Sequence, residues 1–237
     1  ATADQVDGIA VTGEGRLTVN GTATGATNLS SLSADVVDIT GADLTNGSVT
    51  WMTVAAGDEL RLTSSQATGQ TILAAADASA VITVSGLASD ANLTNIGNAT
   101  ATVNATVTGS IDITGNVHLG NVDKYTVSSG QTFVATADQV AGIAVDGDGS
   151  LTVTGSASNA NLINLKAKVV DVTGAILTDT VTWMTVAAGD ELRLSSAQAN
   201  GKSIGAASNA SAVVTVSDLT DSTDLSGIAN ATATVNA

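Results

Sequence analysis

The sequence of 237 residues contains no cysteine and no proline, and aromatic residues make up only 2% of it. Without cysteine, the chain has no disulfide framework, no zinc–thiolate site and no cysteine nucleophile. Without proline, it contains no polyproline linker. A single thick core normally recruits more Phe, Tyr and Trp, so the shortage of large rings favours thin layers of strands and turns.

Positive charge is also scarce, since seven Lys and Arg residues stand against 22 Asp and Glu residues and leave a net charge of −15. A chain this acidic repels DNA, RNA and anionic membrane surfaces, so we expect that it neither binds nucleic acid nor inserts into a membrane. No apolar run approaches the roughly 20 residues of a membrane-spanning helix. The sequence shows no signal peptide and opens with Ala1 rather than Met, from which we expect a segment of something longer.

Two copies of one long pattern make up the chain. The string TWMTVAAGDELRL occurs around Trp51 and again around Trp183, and ATADQV occurs at Ala1 and again at Ala135. The sequence therefore predicts a long repeat over 1–134 and a second, incomplete one over 135–237, each with two half-units. Each half-unit has its own Gln-x-x-Gly motif, which begins at Gln5, Gln66, Gln139 and Gln198.

Alternating apolar and polar residues follow each Gln motif, between turns rich in Gly, Asn and Asp. A period of two is typical of short strands with one buried face, and no segment keeps a 3.6-residue period over the length of a helix. The inward positions of these strands are the predicted core, which comprises Leu17, Val19, Ile82, Val84, Leu151, Val153, Val214 and Val216.

Repeats whose units cannot bury a face alone must stack on their neighbours. We therefore predict an all-β fold, a single continuous β-solenoid, with about three coils of roughly 20 residues in each half-unit. Tandem β-sandwich domains are the alternative. The solenoid is favoured because no linker separates the copies and because the half-units resemble one another without a boundary between them.

The stretch YTVSSGQTFVATADQVAGIAVDGDGSLTVTGSASNANLINL, which begins at Tyr125, resembles tandem repeats of giant bacterial surface and secreted proteins. Those proteins include adhesin-like, sheath-like and S-layer-associated chains, and the likeness covers essentially the whole sequence. The resemblance implies an extracellular or cell-surface location, a structural or adhesive role and, often, calcium. The chain lacks the GGxGxD nonapeptide of RTX calcium repeats, so we expect no cofactor and keep calcium as the alternative.

Few residues have the chemistry of a catalytic or metal site. His118 is the single histidine, and one imidazole without Cys or a second His forms neither a usual zinc site nor a Ser-His-Asp triad. Asp146 and Asp148 are weak metal candidates, because carboxylates at i and i+2 can share a hard cation. The first copy has Thr12-Gly13-Glu14-Gly15 there, with one carboxylate fewer, so we favour a polar turn.

The few large rings precede the Gln motifs and form a predicted aromatic corner. Rings placed at one repeated position are predicted to fill space, whereas exposed rings would stack on sugars. The corner consists of Trp51, Tyr125, Phe133 and Trp183.

One charged pair recurs in both copies, as Glu59 with Arg61 and as Glu191 with Arg193. In a strand these residues point outward while Leu60 points inward. We predict a solvated, charge-balanced edge, because exposed pairs of this kind contribute only about 0–1 kcal/mol. A stripe that binds a partner is the alternative.

Together these patterns predict a structural repeat module of a large extracellular filament, sheath or adhesin stalk, and not an enzyme. Neither end resembles a cap, so the expected partners are copies of the chain or neighbouring repeats placed end to end, with a surface glycan as a further partner. One alternative is a carbohydrate- or ice-binding surface protein. Another is a polysaccharide-degrading β-helix enzyme. Such an enzyme needs acids and bases clustered in one groove, whereas Arg16, Arg61 and Arg193 are scattered along the sequence.

Overall fold

A computed structural model describes residues 1–76, 79–97, 100–207, 211–228 and 234–236. The strands stack in parallel and in register, and the fold is the predicted β-solenoid. The chain divides into two compact units, residues 1–106 with 116–123 and residues 107–115 with 124–237. The predicted repeat boundary at residue 134 and the single continuous solenoid stay predictions. None of the helices in these described ranges is long and apolar enough to span a membrane.

In the first unit, five parallel strands stack one on another, each paired with the next in the series. Leu17, Val37, Leu60, Ile82 and Val103 lie opposite one another in this series. The elements are α1 (Ala3–Val6), β1 (Val11–Thr22), β2 (Thr27–Asn28), β3 (Leu32–Asp43), β4 (Val49–Thr50), β5 (Glu59–Thr63), α2 (Ser64–Ala67), β6 (Val81–Ser85) and β7 (Thr102–Val107).

The second unit has the same construction. Phe133, Leu151, Val170, Leu192 and Val214 lie opposite one another in successive parallel strands. The elements are β8 (Ile111–Asp112), β9 (Lys124–Val127), β10 (Thr132–Thr136), α3 (Ala137–Val140), β11 (Ala144–Ser158), β12 (Leu165–Asp171), β13 (Ala175–Thr178), β14 (Glu191–Ser195), α4 (Ser196–Ala199), β15 (Val213–Ser217) and β16 (Thr234–Asn236).

Alternation along each strand fills the solenoid interior with Val, Ile, Leu and Ala. In β5, β6, β10 and β15, every second residue is buried while its neighbours are only half-buried. Seven of the eight residues proposed for the core are buried. Leu17 is half-buried, because β1 has a full strand partner, β3, on one edge, whereas residues 1–2 meet only part of the other.

A one-turn helix follows a strand at three of the four Gln motifs, and α1 occupies the fourth. Each helix begins with a capping box. The hydroxyl of a Thr or Ser accepts from the backbone N–H of the Gln, and the side-chain oxygen of the Gln accepts from the backbone N–H of that Thr or Ser. The Gln motif is evident in the sequence, but the periodicity of the sequence predicts no helix there. Four residues are too few for the periodicity that reveals a helix.

The glutamine of the motif also ties its coil to the coil before it, a contact we call the Gln tie. Nε2 of Gln66 donates to the carbonyl oxygens of Ile39, at 2.7 Å, and Ala42, at 2.6 Å. Nε2 of Gln198 repeats the arrangement and donates to the carbonyl oxygens of Val172, at 2.6 Å, and Ala175, at 2.8 Å. Gln139 donates to Ile113 at 2.7 Å. These contacts join residues 23 to 27 positions apart, close to the expected coil length.

The polar turn predicted at residues 146–149 is wrong, because these residues lie within β11. The pairing of β11 with β12 shifts register between Gly147 and Ser150, so the strand carries a bulge there. Gly147 has φ of 105°, and a side chain at this position would collide with the backbone of Val127. The glycines therefore allow a strand to bend against its neighbour, a role that sequence alone does not distinguish from a turn.

Candidate functional site

The outward charges of the first unit form a connected row across neighbouring coils. Oε2 of Glu59 lies 2.7 Å from the Arg61 guanidinium, and Oε1 accepts from the Thr83 hydroxyl at 2.7 Å. Asp38, which is opposite Arg61 in the strand register, forms an ion pair with Arg16. The row is therefore internally paired, and its acids are already engaged by groups of the same chain.

The second unit repeats the central part of this row. Glu191 accepts from Arg193 and from the Thr215 hydroxyl, both at 2.7 Å. Ser150 stands where the first copy has Arg16, so the ion pair of Asp38 has no counterpart there. Instead, Lys168 approaches Asp190 at 3.8 Å.

These surroundings move the pKa of two acids in opposite directions. Burial opposes ionisation of Asp38, but the hydrogen bonds from Thr40 and the Arg16 guanidinium outweigh it, so the pKa of Asp38 lies below its ordinary value. Burial raises the pKa of Asp190, and the Lys168 ammonium offsets this only in part.

The two weak metal candidates, Asp146 and Asp148, differ in their surroundings. Asp146 forms an ion pair with Lys124 at 2.7 Å and accepts from the Thr126 hydroxyl at 2.9 Å. Asp148 is exposed. No group of three or more His, Asp or Glu side chains arranged for a metal ion occurs in the described ranges. The expectation that the chain needs no cofactor stays a prediction.

His118 lies exposed in the first unit, and its contacts are made by its backbone. The His118 carbonyl oxygen accepts from the N–H of Leu93 at 2.8 Å, and its N–H donates to Asn116. The side chain of Asn116 donates to the carbonyl oxygens of Ser89 and Ala91 in the coil before. This segment therefore joins coils through amide side chains, and His118 itself is placed at its surface.

The four residues of the aromatic corner fall into two classes. Tyr125 and Phe133 are buried, with ring centroids 4.8 Å apart, and fill the interior of the second unit. Trp51 and Trp183 are only half-buried. Tyr125 precedes Val127 by two residues, as buried Met52 precedes Val54, so Tyr125 aligns with Met52 and not with Trp51. Each Trp lies one residue before this inward position and therefore faces the other way.

A groove of about 520 Å³ lies in the first unit beside Trp51. We call it the Trp51 groove, and its lining includes Asp43, Thr45, Trp51, Thr63, Gln66 and Gln70. Nε1 of Trp51 donates to Oε1 of Gln70 at 3.0 Å, so the indole is held in place by the following coil. The groove therefore combines a fixed aromatic ring with polar side chains from two coils.

Asp43 is the ionised group of this groove. Its Oδ1 accepts from the N–H of Thr45 at 3.0 Å and from the Thr45 hydroxyl at 2.6 Å. These two hydrogen bonds lower the pKa of Asp43. In the part of the chain that the structure describes, no group donates to Oδ2, which leaves an acceptor at the groove.

Sequence reasoning singled out Trp51 but missed Asp43 and Gln70. Both are ordinary polar residues in a chain rich in them, and neither lies near Trp51 in a recognised motif. One signal was available, since Gln70 follows Trp51 by 19 residues, about one coil. Residues one coil apart meet in neighbouring coils of a solenoid, but this inference needs a coil length that the sequence indicates only approximately.

Comparison of the chain with protein-family models, curated proteins and solved structures finds no match.

Proposed function

We propose that the chain is a structural repeat module of a large extracellular filament, sheath or adhesin stalk, without enzymatic activity. The observation that carries the proposal is the Gln tie, which fastens a coil to the one before it at Gln66, Gln139 and Gln198. A tie that recurs from half-unit to half-unit allows a solenoid to lengthen by duplication without a new interface. Length obtained in this way suits a mechanical role.

The charged side chains support a scaffold rather than a catalyst. Glu59, Asp38 and Glu191 are each held by an Arg of a neighbouring position. A hydrolase on a β-helix instead needs an acid and a base that both face the substrate. Outward pairs that satisfy one another keep the surface hydrated and leave the strands in register.

End-to-end contact between copies, or between neighbouring repeats, belongs to the same proposal. Gln5 forms its capping box with Thr2, but its Nε2 has no acceptor among the described residues. The equivalent nitrogen of Gln66 donates to two carbonyl oxygens of the coil before. A coil placed against α1 would supply acceptors of the same kind.

Electron microscopy with gold-labelled antibodies raised against the chain tests this function on the cells that produce it. On intact cells we expect label outside the envelope, along filaments, stalks or a continuous sheath. Label that requires permeabilised cells, or that stays diffuse in the cell interior, contradicts the proposal. An antibody against a cytoplasmic enzyme of the same cells controls for accidental lysis.

A further inference from the structure

The Trp51 groove has features that a purely structural surface does not need. Its ring is held by a hydrogen bond from Nε1 to Gln70, and yet the indole is only half-buried. A half-exposed aromatic ring fixed in orientation offers an apolar face to a ligand at little cost in conformational entropy. The volume of about 520 Å³ is within the range of small-molecule sites.

The polar groups around this ring include both acceptors and donors. Oδ2 of Asp43 is an available acceptor, because Thr45 engages only Oδ1. Gln70 uses Oε1 for Trp51, and its amide NH₂ has no acceptor among the residues described. Gln66, in contrast, is fully engaged, since Oε1 accepts from Thr63 and Nε2 forms the Gln tie. Asp43 and Gln70 therefore each keep a polar group available to a ligand in the groove.

A neutral sugar matches this combination. One face of a pyranose ring presents C–H groups that pack on an indole, while the hydroxyls at its rim donate to a carboxylate and accept from an amide. The net charge of −15 and the carboxylate of Asp43 oppose anionic sugars such as uronates. We propose that the Trp51 groove binds a neutral saccharide, with one sugar ring stacked on Trp51 and its hydroxyls bonded to Asp43 and Gln70.

The second copy provides the control within the same chain. Trp183 repeats Trp51, but Ile176 stands in the place of Asp43 and Lys202 in the place of Gln70. Ile176 is 63% exposed and offers no hydrogen bond to a sugar. The indole of Trp183 consequently has neither of the two polar partners, and it does not bind the saccharide.

Indole N–H resonances of the ¹⁵N-labelled chain test the proposal, because the sequence has two tryptophans and Trp183→Phe assigns them. The probes are the methyl glycosides of glucose, galactose, mannose and N-acetylglucosamine, with methyl glucuronide and choline as charged controls. We expect at least one neutral glycoside to shift the Trp51 resonance saturably, with Kd on the order of 1 mM, while that of Trp183 stays in place.

The variants Asp43→Ile and Gln70→Lys install residues that the second copy already carries, and thermal melts check that each remains folded. Each should weaken the affinity at least tenfold, and Ile176→Asp, the matched change in the second copy, should leave it unchanged. The proposal is overturned if no neutral glycoside shifts the Trp51 resonance at 50 mM, if both variants bind as the parent does, or if choline or glucuronide is preferred.

Discussion

The two tryptophans lie in the same string, TWMTVAAGDELRL, but the two copies treat them differently. Trp51 donates its indole N–H to Gln70, whereas Nε1 of Trp183 is buried without a hydrogen-bond partner among the described residues. The turn that carries the facing residue is alike in both copies, since the N–H groups of Gln70 and Lys202 both donate at 3.0 Å to the alanine three positions earlier. In a solenoid, therefore, the surroundings of a repeated residue depend on the next coil as well as on its own repeat.

A charge placed in the interior should destabilise both copies alike, because each copy has an interior of the same apolar kind. Val19 and Val153 are each 0% exposed in the middle of a strand. Val19→Asp and Val153→Asp each place an unpaired carboxylate there and should each lower the free energy of unfolding by about 3 kcal/mol or more. Chemical denaturation of both variants measures the two losses.

Outward substitutions on the same strands serve as controls. Thr18 and Thr152 lie opposite Asp38 and Asp171, so asparagine is used to avoid placing like charges face to face. Thr18→Asn and Thr152→Asn should each change stability by less than about 0.5 kcal/mol. Equal losses from the inward and outward changes would show that the strand register is wrong.

Removal of the Gln tie should be the next largest effect. Gln66→Ala and Gln198→Ala each remove two hydrogen bonds to carbonyl oxygens and one half of a capping box. A loss of about 2 kcal/mol is expected for either variant, since carbonyl groups are left without donors. Thermal unfolding followed by circular dichroism measures it.

Gln5→Ala sharpens this comparison, because Gln5 has the capping box but its Nε2 has no acceptor in the described chain. It should cost only about 1 kcal/mol, the contribution of the cap alone. If all three glutamines cost the same, the bonds to the preceding coil contribute nothing measurable.

Lys202→Gln should remove the difference between the two tryptophans. The new side chain occupies the position of Gln70 and offers an acceptor to Nε1 of Trp183, which should stabilise the chain by about 1 kcal/mol. The reciprocal variant, Gln70→Lys, should destabilise it by a similar amount. Denaturant titrations measure both changes in the free energy of unfolding. A downfield shift of the Trp183 indole proton resonance would report the new hydrogen bond. A Lys202→Gln variant less stable than the parent would contradict the expectation.

The smallest effects concern Asp38 and Asp190, whose pKa values move in opposite directions. The lowered pKa of Asp38 means that its contribution is present above the ordinary value near 4 and is lost as pH falls through the lowered pKa. The raised pKa of Asp190 means that its ionised form opposes folding above that pKa. At pH 7, Asp38→Asn should therefore lower stability and Asp190→Asn should raise it, each by less than about 1 kcal/mol.

Thermal melts at pH 7 and near pH 3 separate the two acids. Both differences from the parent should shrink as pH falls, first that of Asp190→Asn, because the pKa of Asp190 is raised, and then that of Asp38→Asn, because the pKa of Asp38 is lowered. A stabilising effect of Asp38→Asn at pH 7 would show that burial, rather than Arg16 and Thr40, dominates at this site.

The solenoid could be predicted from the sequence because its evidence is distributed over many residues. Alternating pairs such as Leu151 and Val153 recur in each half-unit, and the loss of one would not change the interpretation. The one-turn helices were missed although their signal is present, since Thr or Ser precedes each Gln by three positions in all four motifs. That spacing is a capping box, which requires no periodicity to be recognised.

The Trp51 groove could not be predicted, because its residues become neighbours only through stacking. Asp43, Trp51 and Gln70 come from different parts of two coils, and the identity of the facing residue changes with one insertion or deletion between them. The loop before Trp51 is one residue longer than the loop before Trp183. A sequence without aligned coils does not reveal which polar side chain will face which ring.

The Gln tie has a direction. The carboxamides of Gln66, Gln139 and Gln198 donate to carbonyl oxygens that come 23 to 27 residues earlier in the chain. When the polypeptide emerges from its amino end, the acceptors of each new glutamine have already been synthesised. The chain is thus suited to vectorial folding, in which each coil is the template for the next.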